Sequence, residues 1–168
     1  LIVNDGLLDS DPDTMTVNTV NSQPVADAGP DQQGVIGATI TLNGAGSSDV
    51  DGDSLTYQWA LISQPIGSTA TLQNPTSTTS SFAIDKPGTY VAQLIVNDSA
   101  LDSEPDTVTV TTLNTKPVSD AGQDRTVIVG ETVQLDGSGS TDADGDTLTY
   151  QWSLPTRPEN STATITNP

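Results

Sequence analysis

The chain has 168 residues and a formal net charge of −18, with 22 acidic residues against 4 basic ones. This charge argues against nucleic-acid binding and against attraction to an anionic membrane, because both need clustered Lys and Arg. The chain contains no Cys and no His, which excludes disulfides, thiolate zinc sites and catalysis by either side chain. No stretch is long and apolar enough to span a bilayer, and no signal peptide is present.

The sequence repeats itself without a gap after a shift of 93 residues, so that residues 1–5 return as 94–98. A strict period of this size predicts an array of equivalent domains. We divide the chain into C-terminal strands of a preceding repeat (1–20), a complete repeat (21–113) and the N-terminal part of a following repeat (114–168). The partial repeats would expose unpaired strand edges. We therefore expect neighbouring repeats, or neighbouring molecules in a homopolymer, to complete them.

Short runs of alternating apolar and polar residues predict seven or eight strands in the complete repeat, and no helical periodicity is seen. In chain order, these runs include residues 39–42, 55–61, 70–72, 81–84, 90–96 and 108–110. One apolar face per strand suits two sheets packed face to face. The pattern predicts an all-β fold of tandem immunoglobulin-like β-sandwiches.

Two aromatic residues support the immunoglobulin-like assignment. Trp59 lies midway along the predicted third strand, where such folds bury a tryptophan. The segment Asp85-Lys-Pro-Gly-Thr-Tyr90 opens the predicted sixth strand and has the pattern of a tyrosine corner. Since no disulfide is available, we expect burial of Trp59, Phe82 and Tyr90 to hold the two sheets together.

The complete repeat carries Asp49-Val-Asp-Gly-Asp-Ser-Leu-Thr-Tyr-Gln-Trp59, and residues 142–152 carry its copy. With Pro24-Val-Ala-Asp-Ala-Gly29 and Leu94-Ile-Val-Asn-Asp98, this resembles the polycystic-kidney-disease (PKD) type of repeat. The resemblance implies a β-sandwich module of extracellular and cell-surface proteins, used as a spacer or in adhesion. The Trp-Asp-Phe-Gly-Asp-Gly signature of that family is absent, so the ligand-binding behaviour of other PKD modules is not carried over.

Three carboxylates, those of Asp49, Asp51 and Asp53, lie within five residues in the loop between the second and third strands. Their mutual repulsion favours a compensating cation, and Ca²⁺ accepts six to eight oxygen ligands in flexible geometry. An EF-hand is excluded, because Gly52 stands at the fourth loop position and Ala60 at the twelfth. The alternative is an ordinary solvated turn, since Asp-Gly runs form loops readily.

In an immunoglobulin-like sandwich this loop, the domain's first residues and the loop after the sixth strand lie at one end. Some calcium-binding PKD modules use an Asn at the start of the domain, the paired Asp of this loop and an Asp after the sixth strand. The candidate metal ligands implied by the resemblance are Asn21, Asp49, Asp51 and Asp98, with Asn114, Asp142 and Asp144 in the next repeat and Asp5 in the preceding one. Asp53 and Asp146 are either further ligands or caps of the loop. Asp102, Glu104 and Asp106 are expected to open the final strand.

The sequence favours a structural role: a repeat of an extracellular fibre or a cell-surface stalk or adhesin, stiffened by Ca²⁺ at the junctions between repeats. The alternative is a carbohydrate- or protein-binding adhesion module, with a glycan or a surface protein as partner. An enzyme is not expected, because the same acids recur on one short loop in each repeat. Asn97-Asp-Ser99 and Asn160-Ser-Thr162 match the N-glycosylation pattern, a signal that is common by chance.

Overall fold

The computed structural model describes residues 1–166, and all six of its strands lie between residues 21 and 113. The strands are β1 (Gln32–Gly34), β2 (Thr39–Asn43), β3 (Thr56–Ser63), β4 (Thr79–Ala83), β5 (Thr89–Asn97) and β6 (Asp106–Thr112). No helix that could cross a membrane is found in the described part of the chain. The predicted all-β fold is confirmed.

The strands form a four-stranded sheet in the order β1-β6-β5-β3 and a two-stranded sheet of β2 and β4. All neighbours are antiparallel except β1 and β6, which run parallel with Gln32 opposite Val110 and Gly34 opposite Thr112. An isolated parallel bridge between Val25 and Glu104 extends this pairing toward the start of the repeat. The first and last strands of the repeat are therefore hydrogen-bonded to each other.

The core follows from the alternation of side chains along the strands. In β5, Tyr90, Ala92, Leu94 and Val96 all point inward and are fully buried, while the residues between them are only partly covered. Residues of the other strands, together with Ala28 and with Ile84 just after β4, complete the core: Ile40, Leu42, Trp59, Phe82, Val108 and Val110. The period-two pattern thus predicts which face of each strand is dry.

Trp59 packs in this core at 3% exposure, and its indole N–H donates to the Ser77 carbonyl at 3.1 Å. Gly44 gives the ring its space, because a Cβ there would come within 2.8 Å of a Leu94 methyl group and 3.2 Å of the indole. The expected burial of Trp59 is confirmed, and its one polar atom is satisfied, as a buried tryptophan requires.

The tyrosine corner is also confirmed. The Tyr90 hydroxyl lies 2.9 Å from both Asp85 Oδ1 and the Lys86 carbonyl oxygen, and it accepts the Lys86 N–H at 2.9 Å. Asp85 reaches further: its carboxylate accepts the Ser68 hydroxyl and the Thr69 N–H, both at 2.6 Å. One carboxylate therefore ties the β3–β4 connection to the β4–β5 turn.

Two details of the strand prediction are wrong. The complete repeat contains six strands rather than seven or eight, and residues 70–72 do not form a strand. Only Gln73, just beyond them, bridges to Ser81. Ser68 and Thr69 bond to the Asp85 carboxylate, Ala70 and Leu72 pack against the core, and within the described residues the backbone bonds of this segment to β4 are those that Gln73 and Ser81 exchange.

The flanking segments 1–20 and 114–166 contain no strand, and their residues are mostly exposed. Isolated bridges remain, between Asn4 and Asp9 and between Val118 and Thr141. Each has a counterpart in the complete repeat, where Asn97 bridges to Asp102 and Val25 to Ser48. Local turns thus form in all copies, whereas long strands form only where the whole core is present.

The Asp85 carboxylate contributes to the stability of the fold in acid. Hydrogen bonds, first that from Ser68 and then that from the Thr69 amide, hold the pKa of Asp85 well below its usual range. A lowered folded-state pKa stabilises the fold above the unfolded carboxyl pKa of about 3.9, and this contribution is lost as the pH falls further. We expect Asp85→Asn to lower the melting temperature at neutral pH and to weaken its decline below about pH 4.

The matched control is Asp11→Asn, which changes the net charge equally within the exposed segment 1–20. Thermal unfolding followed by circular dichroism from pH 2 to 7 measures both variants. Equal acid profiles for Asp85→Asn and the wild type would contradict the role assigned to Asp85.

Candidate functional site at the N-terminal pole

The N-terminal pole is the end of the sandwich where the chain enters the repeat at Asn21–Gln23, and it also contains the loops 49–53 and 98–102. In loop 49–53, Asp49 Oδ1 accepts the backbone N–H of Asp51 at 2.8 Å and that of Asp53 at 3.4 Å. Gly52 adopts a φ of +83°, which favours a residue without a side chain. Asp49 Oδ2 is buried and has no hydrogen-bond partner among the described residues.

Asp98 is the most buried acid of the pole, at 3% exposure. Its Oδ1 accepts the N–H groups of Ala100 and Leu101, both at 2.7 Å, and its Oδ2 accepts the Asn21 side-chain amide at 2.9 Å. The Leu101 amide, the Asn21 side chain and the Ala100 amide, in that order, lower the pKa of Asp98. The carboxylate is therefore charged at neutral pH, and its hydrogen bonds offset the cost of burial.

The residues that enter the repeat are held from two sides. The Ser22 backbone N–H donates to Asp51 Oδ2 at 2.6 Å, and Asn21 is bonded to Asp98. The side-chain amide of Gln23 also donates to the Asp102 carbonyl at 2.7 Å. Two loops of one sandwich thus fix the direction in which the preceding chain arrives.

The following repeat reproduces half of this arrangement. Both the N–H and the hydroxyl of Thr115 donate to Asp144 Oδ2 at 2.6 Å, and Asp142 Oδ1 accepts the Asp144 and Asp146 amides. The Thr115 hydroxyl and then its amide lower the pKa of Asp144. Asp144 Oδ1 is buried without a hydrogen-bond partner among the described residues. Asn114 is exposed.

The remaining candidates behave differently. Asp5 lies in an exposed copy of the 97–102 turn, where its Oδ1 accepts the Leu7 and Leu8 amides at 2.9 Å, and these bonds, that of Leu8 first, lower its pKa. Asp53 and Asp146 join the loops through their backbone amides. Asn97 uses its side chain within the same turn, because it donates to Asp102 Oδ1 and accepts the Ser99 amide.

The pole therefore unites Asn21, Asp51 and Asp98 through the residues that enter the repeat, while Asp49 organises its own loop. Within residues 1–166, no group of three or more His, Cys, Asp or Glu residues is placed to hold a metal ion. The feature that favours a cation is the buried, unpaired Asp49 Oδ2. Oxygen donors of this kind fit Ca²⁺ by type, but in the described geometry they do not surround a common point.

Sequence reasoning missed Ser22 and Thr115 as members of the pole. Both follow the junction Asn, and both donate a backbone N–H to an Asp 29 residues further along the chain. The available signal was positional, because a Ser or Thr stands directly after Asn21 and Asn114. The second acidic cluster is structural: Asp106 begins β6, and its carboxylate accepts the Ala28 amide at 2.7 Å.

Comparisons with known proteins agree with this architecture. The family described as K319L-like, PKD domain matches residues 28–112, and the family described as PKD domain matches residues 114–164. The dyslexia-associated protein KIAA0319-like protein of Mus musculus is 32% identical over 180 residues, which cover 99% of this chain and 17% of that protein. The dyslexia-associated protein KIAA0319 of Homo sapiens is 35% identical over 140 residues, covering 80% of this chain and 13% of that protein.

Among solved structures, the solution structure of the PKD domain from the KIAA 1837 protein is 30% identical, with a TM-score of 0.46, and the match covers 56% of this chain and 91% of that one.

The chain spans less than a fifth of the length of the two curated relatives named above. The K319L-like match covers half of the chain and contains the whole sandwich core. The chain belongs to the K319L-like PKD-domain family.

Proposed function

We propose that this chain is a structural, adhesion-type segment of an extracellular or cell-surface protein, in which PKD modules are joined end to end in a fixed direction. The observation that carries the proposal is the hydrogen bond that the Ser22 amide donates to Asp51, which Thr115 and Asp144 repeat. A carboxylate that accepts the first amides of its own module limits bending at the junction. Neighbouring repeats are then the principal partners, and the role requires no catalysis.

The strand order supports a role under tension. The chain enters at the N-terminal pole and leaves beside the turns at Gly34 and Gly88, at the opposite end. Tension on the two ends pulls β1 and β6 along each other, because these strands are parallel neighbours. In this geometry, the bonds between them resist together rather than opening one after another.

Side chains add hydrogen bonds between the first and last segments of the repeat, and we call these bonds together with the β1–β6 pairing the clamp. Asp106 Oδ2 accepts the Ala28 amide at 2.7 Å, and Asp31 Oδ1 accepts the Thr109 amide at 2.8 Å. The Leu113 amide donates to the Gly34 carbonyl at 2.8 Å at the far end. Hydrogen bonds between the first and last segments of the module thus extend from the Val25–Glu104 bridge at one end to the Leu113–Gly34 bond at the other.

Calcium at the pole is the finer part of the proposal. Asp49 Oδ2 and Asp144 Oδ1 are buried without hydrogen-bond partners among residues 1–166, and a cation is one way to satisfy such an oxygen. A bound ion would also offset repulsion in a chain of net charge −18. Because the carboxylates do not surround a common point, ion binding would require loop 49–53 to close toward the Asn21–Asp98 pair.

A carbohydrate-binding module draws less support from the structure. Such sites usually present exposed aromatic side chains, yet Trp59, Phe82 and Tyr90 are all buried in the complete repeat. A glycan or a surface protein as a partner of the array remains compatible with the spacer role. Binding of the chain to an immobilised glycan panel would move the proposal toward this alternative.

Amide hydrogen exchange tests the junction directly. We expect Asp51→Ala to speed exchange at Ser22, because that amide loses its acceptor, while the core amides of β5 stay protected. Asp144→Ala should do the same at Thr115. The control is Asp53→Ala in the same loop. Unchanged exchange at Ser22 in Asp51→Ala would refute the role assigned to this contact.

Calcium binding is tested by titration calorimetry and by melting with millimolar CaCl₂ or with chelator. We expect Ca²⁺ to raise the melting temperature, since a ligand that binds only the folded state stabilises it. Asp49→Asn should abolish the shift, and Asp11→Asn should keep it. Identical melting with CaCl₂ and with chelator would remove calcium from the proposal and leave the junction contacts intact.

The clamp is tested by pulling single molecules through handles at residues 21 and 113 of the chain. We expect Asp106→Ala to lower the unfolding force, because the Ala28 amide loses its acceptor between the loaded strands. The control is Asn43→Ala, which removes one side-chain bond, to the Ala45 amide, in the other sheet. Each variant should lower the free energy of unfolding by about 1 kcal/mol. Equal forces in both variants would contradict the clamp.

A further inference from the structure

The pair Asn43-Gly44 stands where β2 ends, and Asn43 is the only Asn of the chain that is followed by Gly. Asn is a thermolabile residue, because its side-chain amide can be attacked by the backbone nitrogen of the next residue. The side chain of that next residue is the main steric barrier to the attack. Glycine has none, so this pair is the most reactive Asn site that the sequence contains.

The reaction needs no enzyme, metal or oxidant. The Gly44 nitrogen loses its proton and bonds to Asn43 Cγ, ammonia leaves, and a cyclic succinimide forms. Water then adds to one of the two ring carbonyls and opens the ring, which gives either Asp or isoaspartate. The side-chain amide is thereby replaced by a carboxylate, and the residue gains one negative charge.

Core packing requires the glycine. Gly44 is buried, and a Cβ at this position would come within 2.8 Å of a Leu94 methyl group and 3.2 Å of the Trp59 indole. The fold therefore keeps Gly directly after Asn43, and the same missing side chain leaves the Gly44 nitrogen sterically free to react.

An Asx turn orients the Asn43 side chain for this attack. Its Oδ1 accepts the Ala45 N–H at 3.0 Å, and this bond spans Gly44, so Cγ is kept beside the Gly44 nitrogen. The Ala45 N–H would also stabilise the negative charge that develops on Oδ1 during the attack. Asn43 is exposed, so water and hydroxide reach it.

The folded backbone opposes the reaction at the same place. The Gly44 N–H donates to the Thr78 carbonyl at 2.9 Å, and Asn43 is paired with Thr79 in the ladder between β2 and β4. We call these four residues the β2–β4 end. A nitrogen whose proton is held by a carbonyl does not ionise readily, and it cannot turn toward Cγ while its neighbours are paired.

We propose that Asn43 is a deamidation site that the folded repeat holds closed, and that opening of the β2–β4 end exposes it to irreversible conversion into Asp or isoaspartate. The inference goes beyond the proposed structural role and does not depend on it. A repeat with this site carries a covalent record of its own opening.

The following repeat shows that one of the two products fits the fold. It has Asp136-Gly137 at the positions that correspond to 43 and 44 after the shift of 93 residues. Asp136 Oδ1 accepts the Ser138 N–H at 2.9 Å, which is the same turn made with a carboxylate. An Asp at position 43 is therefore accommodated without a change of the turn.

Isoaspartate does not fit in this way. It adds a methylene to the main chain directly before Gly44, where Leu94 and Trp59 already pack against the glycine. The main chain then reaches Gly44 out of register with the core. The two products of one reaction therefore differ in the stability of the repeat.

Peptide mass spectrometry of the full chain measures the deamidation rate in native buffer and in concentrated urea. In urea we expect Asn43 to react many-fold faster than Asn18, which precedes Thr19. In native buffer, Asn43 should be slowed by the same factor as amide hydrogen exchange at Gly44. Both reactions need the Gly44 N–H to be released from Thr78, so both follow the population of the open state.

A series of urea concentrations below the unfolding midpoint separates a shared opening from chance agreement. The two rates at Asn43 and Gly44 should rise in parallel, whereas Asn18, which is exposed, should change little and is the internal control. Equal rates at Asn43 in native buffer and in urea, or deamidation that does not follow Gly44 exchange, would overturn the guarding role of the fold. A reaction at Asn43 no faster than at Asn18 in urea would overturn the site itself.

The products are tested with variants and by anion exchange after reaction in urea. Asn43→Asp supplies the first product directly, and we expect it to melt at the wild-type temperature by circular dichroism. The isolated isoaspartate product should refold with a lower melting temperature. Asn43→Gln is the control that should give no new charge form at this position, because its longer side chain closes a ring far more slowly. Loss of the fold in Asn43→Asp, or equal melting of both products, would contradict the inference.

Discussion

Short carboxylates that accept hydrogen bonds from backbone N–H and hydroxyl groups hold several of the turns and loops of this repeat in place. Asp49 shapes its own loop, Asp85 ties two turns through Tyr90 and Ser68, and Asp98 is buried with all its bonds made to neighbouring amides. The chain has 19 Asp against 3 Glu, and this geometry explains the preference, because the shorter side chain reaches amides two or three residues away. Much of the negative charge is thus built into the turns.

The sequence predicts the sandwich well where side chains alternate. The inward stripe of β5, the burial of Trp59 and the tyrosine corner at Tyr90 all follow from spacing and from known immunoglobulin-like patterns. The prediction fails at residues 70–72, where alternation is present but only a single bridge, Gln73 to Ser81, forms with β4, and the preceding Ser68 and Thr69 bond to Asp85. Such a contact joins residues 16 or 17 positions apart, and no local pattern reveals it.

The sequence predicts where the candidate site lies, but it does not predict which hydrogen bonds its residues make. Topology alone brings Asn21, Asp51 and Asp98 to one pole, and the structure places them there. The sequence does not reveal that the carboxylates of Asp51 and Asp144 accept the backbone N–H groups of Ser22 and Thr115. A Ser or Thr after an Asn is a common pair and does not by itself indicate such a bond. Three nearby carboxylates suggest an ion, whereas in the folded loop Asp49 Oδ1 accepts two of the loop's own N–H groups and Asp51 Oδ2 accepts the Ser22 amide.

The recurrence of one contact at both junctions has a geometric consequence. If Ser22 with Asp51 and Thr115 with Asp144 orient successive modules alike, every step along an array applies the same rotation and translation. Repetition of a single screw operation generates a helix, so the pitch of such an array would be encoded in a few atoms. A distortion of several degrees at that contact would accumulate with each module and visibly change the curvature of a long array.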